Sequence, residues 1–328
     1  MRYLQAFLIS LVATVLLGRV LIPALRRLKA GQSIKRDGPV WHMSKEGTPT
    51  MGGLMFIGGM LLGVLLTSVP QFRAGNWSAL AMLALSLIYG AIGFFDDYMK
   101  VRHHQNEGLK AGQKFLLQLA VAVAFVLLLR YLGFLSPNLY VPFFAVTIPL
   151  PEAVYVIFAA FVIVGTVNSV NLTDGVDGLV SGVTLPVALC LFGLAAVWGR
   201  VTQALFAAAL TAGLIGFLVY NFHPAKVFMG DTGSLFLGGA VCALAFALDM
   251  PLILVPLGVV YICETLSDIL QVIYFKATHG KRIFKMAPIH HHFEKCGWSE
   301  IKVFAVFSGV SLVLAVVTFF CVRSRYGL

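Results

Sequence analysis

The sequence predicts an all-α polytopic membrane protein with ten transmembrane helices, both termini outside and the chemistry on the cytoplasmic face. Three observations predict it. Of 328 residues, 59% are hydrophobic and only 12% are charged, where a soluble domain carries about 25% charged residues. Ten apolar runs cover 3–25, 51–69, 77–95, 115–135, 153–170, 178–198, 202–221, 233–248, 251–275 and 301–322, and a bilayer core takes roughly 20 residues per helix. The gaps after runs one, three, five, seven and nine hold 16 of the 24 Lys and Arg residues, and the other gaps and both termini hold five. Basic loops stay in the cytoplasm. The runs do not alternate in polarity as barrel strands must. Helices, which satisfy their own backbone groups in lipid, are therefore expected.

Run 3–25 is longer than the apolar core of a signal peptide and has no small-residue cleavage site, so it reads as a retained first helix. Run 51–69 follows "GTPTMGG", and run 77–95 leads straight into "FFDDYMK". After run 115–135 the gap "SPNLYVPFFAVTIPLPE" is bounded by prolines and partly alternates, which suits a small hairpin on the outer surface. Runs 153–170 and 178–198 flank "NSVNLTDGVDGL"; runs 202–221 and 233–248 flank "NFHPAKVFMGDTGS". The short run 233–248 has the least defined boundaries. Run 251–275 contains Glu264, Asp268 and Gln271. Intramembrane acids usually face a cavity or a partner, with packing inside the bundle the plainer reading. No internal repeat supports a transporter. The five cysteines have neither metal-knuckle spacing nor a disulfide framework. The net charge of +10 is mostly a cytoplasmic rim suited to anionic membrane lipid. No basic helix or aromatic–basic module points to nucleic acid.

Every dense polar cluster falls in a gap assigned to the cytoplasm. Asp96, Asp97, Asp174, Asp177 and Asp231 stand at or beside helix ends there. Asp174 and Asp231 also suit plain N-caps. Five converging carboxylates repel, so they need a cation or a shared proton. Oxygen ligands without cysteine favour a hard ion, and Mg2+ is the usual partner of phosphate chemistry. Glycines in "TPTMGG", "TDGVDG" and "GDTGS" let backbone N–H groups at helix starts approach an anion. Lys45, Lys110 and Lys114 can neutralise a diphosphate. His290, His291 and His292 cannot all face one metal ion, and no second His cluster completes a zinc site. One or two of them suit a phosphate contact.

Taken together, "DDYMK", "NLTDGVDGL" and "VFMGDTGSL" resemble the polyprenyl-phosphate N-acetylhexosamine-1-phosphate transferase superfamily. "GTPTMGG" and "MAPIHHHFE" narrow the resemblance to its muramoyl-pentapeptide branch, over residues 37–298 and in order. The resemblance implies one integral transferase domain over 1–328 in the bacterial cytoplasmic (inner) membrane, commonly as a homodimer. It implies Mg2+, the donor UDP-N-acetylmuramoyl-pentapeptide, the acceptor undecaprenyl phosphate, and the products lipid I and UMP in peptidoglycan synthesis. It makes Asp96, Asp97, Asp231 and His290 catalytic, with Asp231 the metal ligand. It puts Asn168, Asn171, Asp174, Asp177 and Phe228 around uridine. Lys45, Thr50, Lys110, Lys114, Asn221, Gln271, His291 and His292 are further substrate contacts. A relative using a GlcNAc-type donor is the nearest alternative, and a cation-coupled transporter a remote one. Successive helical residues point about 100° apart, so Asp96 and Asp97 cannot face one way. Asp96 is taken as the base and Asp97 as the orienting group. A two-step route through an aspartyl intermediate is the rival.

Overall fold

A computed structural model describes residues 1–28, 45, 47–103 and 108–325. Residues 37–44 and 46 of the first polar gap lie outside the described residues. Of the helices, α1 (Arg2–Arg27), α2 (Gly53–Thr67), α3 (Val69–Arg73), α4 (Ser78–His103) and α5 (Ala111–Tyr131) precede a hairpin of β1 (Asn138–Val141) and β2 (Val146–Pro149). Then come α6 (Glu152–Thr173), α7 (Leu179–Val197), α8 (Val201–Asn221), α9 (Gly230–Ala247), α10 (Leu254–Leu257), α11 (Val259–Ala277), α12 (Ile289–Lys295) and α13 (Glu300–Val322).

All ten apolar runs lie on helices, and eight of the described helices are long and apolar enough to cross a membrane. The other two runs depart from a simple span. Run 51–69 makes only the 15-residue α2, and α3 restarts the chain after Ser68 with Pro70 in its first turn. Run 251–275 is broken: α10 and α11 meet at 78°. Pro256 and Gly258 stand at that break, where proline removes a helix donor and glycine adds backbone freedom. Run 233–248, the short one, is the 18-residue α9. The expected hairpin is present and antiparallel, with Leu139 opposite Ile148 and Tyr140 opposite Thr147. Asp249, at the other end of α9 from Asp231, ties the hairpin down by accepting from Ser136 N and Oγ at 3.1 and 2.9 Å.

Helix α9 is the axis of the bundle, packed along α4 and α6 and against α2. Small residues permit that closeness. A Cβ on Gly93 would collide with the Asp231 carbonyl, and one on Gly53 with the Gly233 backbone. The polar ends of α2, α4 and α9 therefore meet almost backbone to backbone, which brings their motif residues into one small volume.

Candidate active site

Asp96 and Asp97 leave α4 in different directions, as the helix period demands. Asp97 turns to the start of α9. Its carboxylate accepts from Thr232 N and Oγ1 at 2.8 and 2.7 Å and from Asp231 N at 3.2 Å. It thus does for α9 what an N-cap side chain usually does from within its own helix. Gly230 makes room: its φ is +71°, and a Cβ there would lie 2.6 Å from Asp97 Oδ2 and 2.7 Å from Thr50 Oγ1. Asp96 instead meets Lys100 Nζ at 2.6 Å, one turn away on α4, and Lys114 Nζ at 3.8 Å. Its Oδ1 accepts from Leu109 N at 2.8 Å.

Asp231 closes the cluster. Its Oδ2 receives Lys100 at 2.9 Å and Lys114 at 2.8 Å. Its Oδ1 accepts from Asn171 Nδ2 at 2.8 Å, and the same amide also reaches Ser234 Oγ at 2.7 Å. Two ammonium groups therefore sit among three carboxylates contributed by α4 and α9. Asn168 lies one turn below on α6 and is engaged with Gln118 Oε1 at 2.7 Å, which orients it. Asp174, just past α6, is half-buried beside the cluster. Burial, with the charges of Asp231, Asp97 and Asp177, raises its carboxyl from 3.8 to about 8.

A second network borders a cavity of about 580 Å³ lined by Lys45, Asp177, His223, Trp298 and Glu300 among others. Lys45 Nζ bonds Asp177 Oδ1 at 2.7 Å and Glu300 Oε2 at 2.6 Å. His223 Nδ1 and Ala225 N approach Asp177 Oδ2 at 3.1 and 2.9 Å. These pairs are mostly buried, so the Lys45 charge is balanced locally and its position is set.

A family model described as Glycosyl transferase family 4 matches residues 79–249. A second, Phospho-N-acetylmuramoyl-pentapeptide-transferase signature 1, matches residues 45–57. The chain is also similar to curated proteins named phospho-N-acetylmuramoyl-pentapeptide-transferase. One, from Caldanaerobacter subterraneus subsp. tengcongensis, is 46% identical over 96% of this chain and 97% of its own length. Others come from Clostridium acetobutylicum, at 44% over 96% and 98%, and Listeria welshimeri, at 45% over 96% and 96%. The chain belongs to the phospho-N-acetylmuramoyl-pentapeptide-transferase family.

For a member of that family, the site gathers Asp96, Asp97, Asn171, Asp231 and Lys114 around one point, with Asp174 beside it. Thr50 is buried next to Gly230. Phe228 is half-buried on the segment between α8 and α9, held by Phe228 N donating to the Pro49 carbonyl at 2.8 Å. Lys110 is exposed at the start of α5. Three expected contacts also make local backbone bonds. Asn221 donates to the Val227 carbonyl at 2.9 Å and closes the loop before Phe228. Gln271 Oε1 accepts from Ile283 N and Phe284 N at 3.1 and 3.0 Å, clamping the segment after α11. His292 Nδ1 accepts from Lys285 N at 3.1 Å. His291 pairs with buried Glu294 at 2.7 Å, and His290 with buried Glu264 at 2.9 Å. Sequence reasoning missed Glu294, Glu300 and His223. His223 and Glu294 lie inside the quoted segments "NFHPAKVFMGDTGS" and "MAPIHHHFE", and Glu300 had no signal beyond its place in the first turn of α13.

The donor set fits a hard divalent cation. Asp96, Asp97 and Asp231 each offer a carboxylate oxygen within 4.8 Å of the others, all oxygen and no sulfur. Asp177, His223 and Glu300 also converge, with Lys45 bonded to two of them, but this set mixes an imidazole nitrogen with its oxygens and suits a hard ion less well.

Proposed function

We propose that the chain transfers phospho-N-acetylmuramoyl-pentapeptide from its uridine diphosphate carrier to undecaprenyl phosphate, giving lipid I and UMP, and that it does so with Mg2+. Family membership supports the reaction. The observation that carries the chemistry is the lattice of Asp96, Lys100, Asp231 and Lys114 at the meeting ends of α4, α5 and α9. A phosphate oxygen of the lipid attacks the sugar-bearing phosphorus; the bridging P–O bond breaks and UMP leaves. Such a transfer asks the protein mainly to hold reactants in line and to balance charge. Asp96 accepts the last proton of the lipid phosphate, whose second pKa is about 6. Lys100 and Lys114 then meet phosphoryl oxygens, and Asp97 keeps α9 in register. Asp231, with Asp96 and Asp97 beside it, would hold Mg2+, which when bound neutralises the diphosphate and stabilises the leaving group. Purified protein given UDP-N-acetylmuramoyl-pentapeptide, undecaprenyl phosphate and Mg2+ should form lipid I, identified by mass spectrometry. Product only from UDP-N-acetylglucosamine would assign the chain to a different sugar.

The uridine lies beside the Asp174–Asp177 loop, with Phe228 available to stack on the base. Phe228→Ala should raise KM for the UDP-sugar several-fold and leave the lipid KM nearly unchanged; a shift in the lipid KM alone would displace the pocket.

Asp174 links ion binding to protons. In the metal-free protein its raised value keeps it protonated at neutral pH. Stability from that proton is present below the ordinary carboxylate range and is lost as pH rises through about 8. A divalent ion among the neighbouring carboxylates offsets the charges that help to hold the proton. Mg2+ binding should therefore release protons and tighten toward about pH 8. Calorimetry in buffers of different ionisation enthalpy reads this directly; equal heats in all buffers would remove the linkage.

The same reading gives ten spans in the bacterial inner membrane, with α2 as one span and the bent α10–α11 pair as another. It puts both termini outside, the cluster inside, and two copies in a homodimer. A Lys110→Cys protein lacking its native cysteines should react with an impermeant thiol reagent only when the cytoplasmic side is open. Labelling from outside in intact cells would invert the topology. Native mass spectrometry should give twice the chain mass; a monomer under mild detergent would remove the dimer.

A further inference from the structure

Glu264 takes no part in the chemistry above, yet it is fully buried on α11, within an apolar run. Its Oε2 lies 2.9 Å from His290 Nδ1 and 3.4 Å from the His290 backbone N. Its Oε1 has no partner among the described residues, and neither does His290 Nε2, although both atoms are buried. Native proteins seldom leave buried polar atoms unpaired without a reason. The partners fix the ring's hydrogens. An ionised carboxylate only accepts, so His290 carries its hydrogen on Nδ1. His292 is the opposite case, because its Nδ1 accepts from Lys285 N and its hydrogen must sit on Nε2. The free Nε2 of His290 abuts Gly175, where a Cβ would collide with the ring. It is therefore aimed at the loop that carries Asp174 and Asp177.

We propose that Glu264 is the positioning residue of His290: it fixes the ring's tautomer and direction so that Nε2 faces the 174–177 loop, beside which the uridine diphosphate donor lies. This deepens the transferase reading and rests on it. Glu264 accepts from Nδ1–H whether or not the ring is protonated, so the ring keeps one direction throughout the reaction. Gly175 permits this close approach of ring and loop, since any side chain there would collide with Nε2.

A double-mutant cycle tests the role. Glu264→Gln keeps an acceptor but can also turn its NH2 toward the ring and admit the other tautomer. His290→Asn places an amide nitrogen near the position of Nδ1, so Glu264 keeps a donor, and it removes Nε2. Wild type, both single variants and the double variant are assayed for kcat and KM with UDP-N-acetylmuramoyl-pentapeptide, undecaprenyl phosphate and Mg2+, alongside thermal unfolding. Glu264→Gln should lower kcat about 100-fold with KM changed less than about twofold, and it should cost nothing further in the His290→Asn background. A kcat within about threefold of wild type, or an equal loss in both backgrounds, would overturn the role. Should Glu264→Gln fail to fold, Glu264→Asp keeps the charge, withdraws it by one methylene, and carries the same cycle with the same two readings. A wild-type enzyme that makes no lipid product overturns the proposed function and this role with it. A wild-type enzyme that turns over while the cycle is additive overturns this role alone.

Discussion

Asp231→Asn should abolish turnover, by roughly 1,000-fold or more, and leave the fold in place. The wild-type carboxylate accepts from Lys100, Lys114 and Asn171 at once. An amide has one acceptor oxygen, and its NH2 would face either an ammonium group or another NH2. The change also removes one of three charges that a divalent ion would meet. The fold should survive because α9 is capped from outside: Asp97, not Asp231, holds its first N–H groups. Lipid product formation and thermal unfolding, measured on the same preparation, separate the two effects. Near-normal turnover at ordinary Mg2+ would remove Asp231 from the ion's site.

The adjacent pair should divide in the same experiment. Asp97→Ala deletes the three contacts that end α9 and should lower both activity and stability, the latter by at least about 1–2 kcal/mol on the scale of a lost cap. Asp96→Asn should lose activity by a similar factor with little change in unfolding, because Lys100 and Lys114 both retain Asp231. Equal unfolding temperatures for the two variants would contradict the division. The Asp96 protein also decides the route. If the lipid attacks directly, wild type releases no UMP from the UDP-sugar until undecaprenyl phosphate is added. A stoichiometric burst of UMP without lipid, absent from Asp96→Asn, would make Asp96 a nucleophile.

The helices were legible because lipid imposes a length and a composition on each. Residues 51–69 and 251–275 read as plain spans because composition records apolarity, whereas a break at Gly258 depends on where each side of it packs. In the site, five carboxylates and three histidines stood out because charge beside apolar runs is costly. The motifs carried the family, and one of them, "GTPTMGG", lies within the segment that matches its signature. Their division of labour was not legible. Asp96 and Asp97 are neighbours in sequence, and only the approach of α9 makes one of them its cap. Nor does the sequence show that Asn221 bonds the Val227 carbonyl or that Gln271 accepts from Phe284 N. Glu300 looks like first-turn decoration until Lys45, 255 positions away, reaches it.

Helix α9 was also the run with the least defined ends, and its surroundings explain that. Its apolar window is 89% buried, against 28% for α1, α5 and α13. For α1 and α13 the solvent is hydrocarbon, and leucine and valine on their outer faces are what that solvent accepts. For α9 the solvent is the rest of the protein. A leucine in place of fully buried Ala243 would suit lipid, but it has no room here. Substitution along α9 is thus governed by volume, as in the interior of a water-soluble protein, while a few ångströms away on α13 it is governed by partitioning.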